Sequence, residues 1–383
     1  ILFFPVISFF IFYSNLNNLF WYLFTTSPIL IFPFVLYNVK MKLLIANLIK
    51  FTQIELLLFT IQYILLVFKY RNINPFVSDI SAGDLLSGTS IGFSSLMAVT
   101  MSLICLFFMD LYLLTKNKIY LLYGTMCFLM MVLTGYMAGI TLFFTSTLVF
   151  FFFSLIFDFV KFKINKIKLG IVFSVFISVI VIAIQMQSNF IYTTNVLVRI
   201  FSASPPLKIQ SFIVTFSDFI KENSGAIISG IGGGNYCSRA AFITGGQYLQ
   251  PSNPWYIPIT PSKYYIRYMY PLFEKRLKFK TIGNVSSQSM INTPFSQYQT
   301  IFAEGGVLSL IVLIILIILC FKIYFLNNRK LYAIAILYTF SLLIIDNWLE
   351  FPNYSILFWI IICNQRYKMT KDNYKRVRPI NEK

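Results

Sequence analysis

Ten stretches of this chain are apolar enough to cross a bilayer, and no other property of the sequence restricts its fold as much. They lie near residues 1–13, 21–38, 52–68, 92–113, 118–133, 138–159, 168–186, 306–326, 331–346 and 353–365. A spanning helix needs about 17–25 such residues, fewer where its ends snorkel. Composition agrees: 58% of the 383 residues are hydrophobic, 11% are charged, and mean hydropathy is +0.75. A soluble domain carries about 25% charged residues. The 43 Phe and 24 Tyr suit helices flanked by aromatic belts. The expected fold is an all-α integral membrane protein of about ten transmembrane helices. One large extracytoplasmic loop is expected between the seventh and eighth spans. Ile1 opens inside an apolar stretch without a basic lead, which predicts a missing N-terminal piece or an unusual start codon. No cleavable signal-peptide pattern is visible.

Basic residues orient the spans. Lys40, Lys42 and Lys50, then Lys116 and Lys118, then Lys161, Lys163, Lys166 and Lys168, then Arg329 and Lys330 occupy every second connection. The tail from 366 to 383 is basic as well. Those segments belong in the cytoplasm by the positive-inside rule. The net charge of +18 then reflects topology and attraction to anionic lipid, and a nucleic-acid partner is not required. Four parts follow: an N-terminal bundle over 1–186, a loop over 187–305, C-terminal helices over 306–365 and the tail over 366–383.

A loop of this length is functional or disordered as a rule, and its Tyr, Trp, Pro, Gly and apolar runs predict that it folds. Helical spacing runs from Ile209 to Glu222. The loop also carries Arg199, Lys208, Arg239, Arg267 and a run from Lys275 to Lys280, against few acids. Positive charge on the outer side opposes the topology bias and calls for an anionic ligand or lipid headgroups. Lys275–Lys280 reads as a solvated or headgroup-facing run. The segment Ser229-Gly230-Ile231-Gly232-Gly233-Gly234-Asn235-Tyr236 is weak as a dinucleotide fingerprint. Its physical reading is a bare backbone whose Gly232, Gly233 and Gly234 present N–H groups to an anion; a simple tight turn is the alternative.

Carboxylates at helix ends are the candidate bases: Glu304 before Gly305-Gly306, and Asp346 and Glu350 around Trp348. The alternative role for each is a structural pair with a loop arginine. Asp110 and Asp158, near cytoplasmic ends, are expected to pair with Lys116 or Lys161. The chain has no histidine, and four of its five cysteines lie in apolar runs. No metal-ligand cluster is visible, so neither a metal nor another cofactor is expected.

Three segments carry a resemblance. Leu133-Thr134-Gly135-Tyr136-Met137-Ala138-Gly139-Ile140 opens a helix with small residues, the glycine element follows in the loop, and Ser296-Gln297-Tyr298-Gln299-Thr300-Ile301-Phe302-Ala303-Glu304-Gly305-Gly306-Val307-Leu308 re-enters the membrane. Their order over residues 118–365 resembles the O-antigen polymerase and O-antigen ligase superfamily. Ligases of that family carry a histidine just before re-entry, where this chain has Phe295 or Ser296. The polymerase branch is therefore the nearer likeness. The resemblance implies transfer between undecaprenyl-diphosphate-linked oligosaccharide repeat units at the outer face of a bacterial inner membrane. It implies a diphosphate clamp from Arg199, Arg239 and Arg267 with Lys208, and a base among Glu304, Asp346 and Glu350. Tyr236, Trp255, Tyr256 and Tyr264 would stack on sugars or form loop core. Membrane lipid, a flippase and a chain-length regulator are the implied partners.

Other classes fit less well. A peptidoglycan polymerase of the shape, elongation and division type would need its own loop signature. A lipid-linked oligosaccharide flippase would spread charge along cavity-lining helices, and other transporters show repeated halves or broken helices.

Overall fold

The computed structural model describes residues 3–12, 15–71, 86–90, 93–160, 195, 198–202, 204–246, 258–281, 293–326 and 329–363. Every regular element among them is a helix. Helices Phe3–Phe12, Leu16–Asn38, Met41–Tyr70, Ser94–Thr115, Lys118–Leu133, Met137–Val160, Gln297–Leu326, Lys330–Ile345 and Pro352–Cys363 fall on nine of the ten apolar stretches. The stretch at 168–186 lies outside the described residues.

Five of these helices are long and apolar enough to cross a membrane: Leu16–Leu36, Met41–Tyr70, Ser94–Thr115, Met137–Ser154 and Gln297–Phe325. Lys118–Leu133, Lys330–Ile345 and Pro352–Ile362 are apolar but shorter. Sixteen residues rise about 24 Å, less than a hydrocarbon core of about 30 Å. Leu57, Ile61, Leu65 and Phe68 form an exposed stripe on Met41–Tyr70, and Ile311, Ile314, Ile315 and Ile318 form another on Gln297–Leu326. Such faces suit lipid rather than water. Hydroxyls on the spans are satisfied locally: Thr52, Thr60, Ser102 and Thr147 each donate to the carbonyl four residues back.

The chain divides into two compact units. One comprises Leu30–Ser188, Cys320–Tyr338 and Asn353–Lys383. Here the helices Ser94–Thr115 and Lys118–Leu133 are joined by Lys116, left-handed at φ 60°, and Asn117, whose side chain accepts from the Ile119 N–H at 3.0 Å. Phe108 stacks on Tyr120 across that hairpin. Asp110 is bonded to Arg329 at 2.6 Å, not to Lys116 as expected, and Lys116 lies over the Tyr112 ring. Asp110 is 3% exposed, so it takes the cation able to reach it within the packed helices. The Asp158 side chain and Lys161 lie outside the described residues.

The other unit comprises Ile1–Ile29, Asn189–Leu319 and Thr339–Pro352. Compactness therefore does not follow the sequence division at 186 and 305. The first helices join the loop because Ser8 donates to the Ser229 carbonyl, the Pro5 carbonyl accepts from Gly233, and Asn18 donates to Asn235. Likewise the helix expected to start at 306 begins at Gln297. The described parts of the loop share a core: Leu207, Phe219, Tyr236, Phe242, Tyr265, Tyr268, Met269 and Phe273, with Phe302. Phe219 meets Tyr236 at 4.9 Å, and Phe242 meets Phe295 at 4.6 Å. The helical spacing read over Ile209–Glu222 is one continuous helical stretch, Leu207–Ile213, a π-helical Val214–Phe219, and Ile220–Glu222.

Candidate functional site

The site begins with a broken helix. Gly306 interrupts Gln297–Leu326 at φ 76° and ψ 178°. A break of this kind strips carbonyls of the preceding turn of their intrahelical donors. Two find donors in the glycine turn: Ile231 N–H donates to the Ala303 carbonyl at 2.9 Å, and Gly232 N–H to the Glu304 carbonyl at 3.1 Å. The approach is backbone to backbone. A Cβ on Gly306 would lie 2.0 Å from the Ile228 carbonyl oxygen, and one on Gly230 would lie 2.4 Å from the Glu304 backbone. Only glycine fits either place.

The break also aims the Glu304 side chain into the turn. Its Oε2 accepts from Gly234 N–H at 2.8 Å. Its Oε1 accepts from Tyr236 N–H at 2.9 Å, Ser238 N–H at 3.2 Å and Ser238 Oγ at 2.8 Å. Gly232 and Gly234, at φ 92° and 79°, let successive amides point inward. The turn does hold an anion, as its composition suggests, but the anion is the chain's own carboxylate. Gly233 N–H is spent on the Pro5 carbonyl. The sequence expectation has Gly232, Gly233 and Gly234 facing a diphosphate; here all three amides are donated within the chain.

The next amide belongs to a second carboxylate. Arg239 N–H donates to Glu350 Oε2 at 2.8 Å, and Arg239 Nη1 donates to the Glu350 carbonyl at 2.8 Å. The guanidinium lies 4.2 Å from the Phe351 ring centroid. Glu350 Oε1 is buried and has no hydrogen-bond partner among the described residues, on a residue 1% exposed. Burial first, and the charge of Glu304 second, push the Glu350 carboxyl up to about 8. Arg239 offsets part of this.

Glu350 ends the 3-10 turn Trp348–Glu350, which is fastened from several sides. Asn347 donates to the Cys237 carbonyl at 2.8 Å and accepts from Thr300 at 3.2 Å. Ser296 donates to the Leu343 carbonyl at 3.0 Å. Lys208, 2% exposed, donates to the Phe295 and Ile345 carbonyls. Burial draws the Lys208 ammonium down to about 7, against the pull of Asp346 and with the push of Arg276. Asp346 accepts from the Asn347 N–H at 2.7 Å. Burial raises its carboxyl, while Lys208, the Asn347 N–H, Arg276 and Arg239 oppose the rise.

The result is a cluster in which Glu304, Asp346, Glu350 and Lys208 are buried and Arg239 and Arg276 are half-buried. Arg199 and Arg267, expected in the clamp, are exposed. Arg267 pairs with Glu222 at 2.7 Å, with both side chains largely in solvent. Tyr236 is core, its hydroxyl shared with Thr215 at 3.0 Å, so it offers no face to a sugar. Trp255 and Tyr256 lie outside the described residues. Arg276 was hidden in a run that looks solvated. It stands four residues after Leu272 and three after Phe273, both buried, which is the spacing of an inward helix face. Ser238 and Asn347 carry no comparable sequence signal. Among the described residues, no three His, Cys, Asp or Glu side chains form a metal-holding group.

Comparison with known proteins finds no matching family model, no matching curated protein and no matching solved structure.

Proposed function

We propose that the chain is a multi-pass polysaccharide polymerase of a bacterial inner membrane, with about ten spans and residues 187–305 on the outer side. It joins undecaprenyl-diphosphate-linked oligosaccharide repeat units without a metal. The acceptor's terminal hydroxyl attacks the anomeric carbon of the donor's reducing-end sugar. The C–O bond to the diphosphate breaks, its electron pair leaves on the diphosphate, and the hydroxyl proton passes to Glu350. A flippase supplies the units, and a chain-length regulator is the expected partner.

The observation that carries this reading is Glu350 Oε1, a buried carboxylate oxygen with no hydrogen-bond partner among the described residues, on a residue whose carbonyl accepts from the Arg239 guanidinium. A proton acceptor works best with an affinity near the working pH, and about 8 is close to that. Arg239 supplies the cation that a departing diphosphate needs, because charge grows on the phosphate as the bond breaks. Asp346 and Lys208 brace the turn that presents Glu350. The order of the sequence segments lends the polymerase class.

The test is deletion of the gene, followed by complementation with wild type, Glu350→Gln and Arg239→Ala, with the envelope polysaccharide run on a gel. Loss of the long-chain ladder with single units retained, rescued by wild type alone, supports the reading. An unchanged ladder on deletion rejects it. Loss of every unit from the acceptor points to a ligase or flippase instead.

A further inference from the structure

Two successive backbone amides serve two different carboxylates. Ser238 N–H is held by Glu304, and Arg239 N–H, one peptide along, is held by Glu350. Four donors converge on Glu304, which is wholly buried. A group engaged in this way on both oxygens has no route to a substrate hydroxyl. Its backbone is fixed as well, through Gly232 on its carbonyl and the break at Gly306. Glu350 is the opposite case, with one oxygen pinned by the Arg239 amide and the other without a hydrogen-bond partner among the described residues.

We propose that Glu304 is a positioning residue: its carboxylate fills the glycine turn and fixes the Ser238–Arg239 peptide, which in turn holds Glu350 by one oxygen and presents the other. Glu304 is then not the proton acceptor, and the glycine turn is not a diphosphate site. The proposal rests on Glu350 as the acceptor in the transfer described above. It carries an electrostatic consequence, since the negative charge of Glu304 is among the causes that raise the proton affinity of Glu350.

The test uses the full-length chain purified into lipid nanodiscs, followed by infrared difference titration and amide hydrogen exchange. The carboxyl band that disappears in Glu350→Gln should titrate near pH 8 in the wild type. In Glu304→Gln that band should move down by about one unit, as expected for loss of a nearby like charge. Exchange over residues 234–239 should rise about tenfold or more, as for loss of charge-assisted hydrogen bonds. A folded Glu304→Gln with unchanged titration and unchanged exchange overturns the proposal. Should Glu304→Gln fail to fold, Ser238→Ala keeps the charge and removes one donor. It should raise exchange over 234–239 while leaving the Glu350 midpoint in place, and unchanged exchange there overturns the proposal equally. Neither readout depends on a sugar substrate. An intact ladder in Glu350→Gln would therefore reject Glu350 as the acceptor, while the positioning result stands or falls by itself.

Discussion

Each of the two units buries charge, and they do so in different ways. In one, Asp110 and Arg329 form a single pair at 2.6 Å, with the guanidinium over the Tyr332 ring at 4.4 Å. Glu55 in the same unit is buried and held at both oxygens by Thr89, through its hydroxyl and its N–H. In the other unit, three carboxylates and three cations share one region, and Glu350 keeps an oxygen with no hydrogen-bond partner among the described residues. A buried carboxylate matched one to one fastens helices together. A buried carboxylate left partly unmatched works against folding and is the better candidate for chemistry.

That contrast can be broken by experiment. The largest effect is expected at Glu350. Glu350→Gln keeps shape and burial, so the protein should accumulate normally while chain extension falls about 10²–10⁴-fold, the range for losing a general base. Extension within tenfold of wild type would remove the distinction between the two clusters. Next, Arg329→Met should lower stability by about 3–5 kcal/mol, because Asp110 is left charged and alone. Asp110→Leu combined with Arg329→Met should recover most of that loss in thermal unfolding. A double variant no better than the single would mean that the pair is not a fastening.

A smaller effect concerns pH. The Glu350 carboxyl is raised from 4.5 to about 8, so its contribution is fully present below about 4.5 and is lost as pH rises to about 8. The Lys208 ammonium is lowered from 10.5 to about 7, so its burial penalty is fully present below about 7 and is relieved as pH rises to 10.5. From these two groups, the unfolding temperature should fall between about pH 5 and 7 and climb above about 8. Glu350→Gln should flatten the falling limb and leave the climbing one. An unaltered falling limb would assign it to other groups. The smallest effect belongs to Arg267→Ala, which breaks an exposed, solvent-screened pair with Glu222 and should leave the unfolding temperature essentially unchanged. Polymer length should be unaffected, and a shortened ladder would return Arg267 to the clamp.

The apolar helices were legible because their signal is local. Runs such as Ser94–Thr115 are apolar over most of their length, and no partner is needed to recognise them. The three carboxylates were legible for a similar reason, since acids beside apolar runs are conspicuous. What each one does was not legible. Glu304 and Glu350 have the same chemistry and a similar setting in the sequence. They differ because the amides of 234, 236 and 238 close on one and the amide of 239 reaches the other. Those bonds join residues far apart in the chain, and periodicity carries no information about them. Where the basic residues of the loop come to lie was not legible for the same reason. Arg267 and Arg276 lie on the same run of helix, and only packing puts one in water beside Glu222 and the other beside Asp346.

The break at Gly306 bears on how the molecule is made. A continuous helix can enter the bilayer as a finished object, with every internal carbonyl already served. Gln297–Leu326 cannot, because the carbonyls of Ala303 and Glu304 are served by amides translated long before it. The glycine turn leaves the ribosome first and has no anion to close on until Glu304 emerges. Assembly of the loop and completion of this helix are thus one event. Excising the loop would leave behind an unfinished helix rather than an intact anchor.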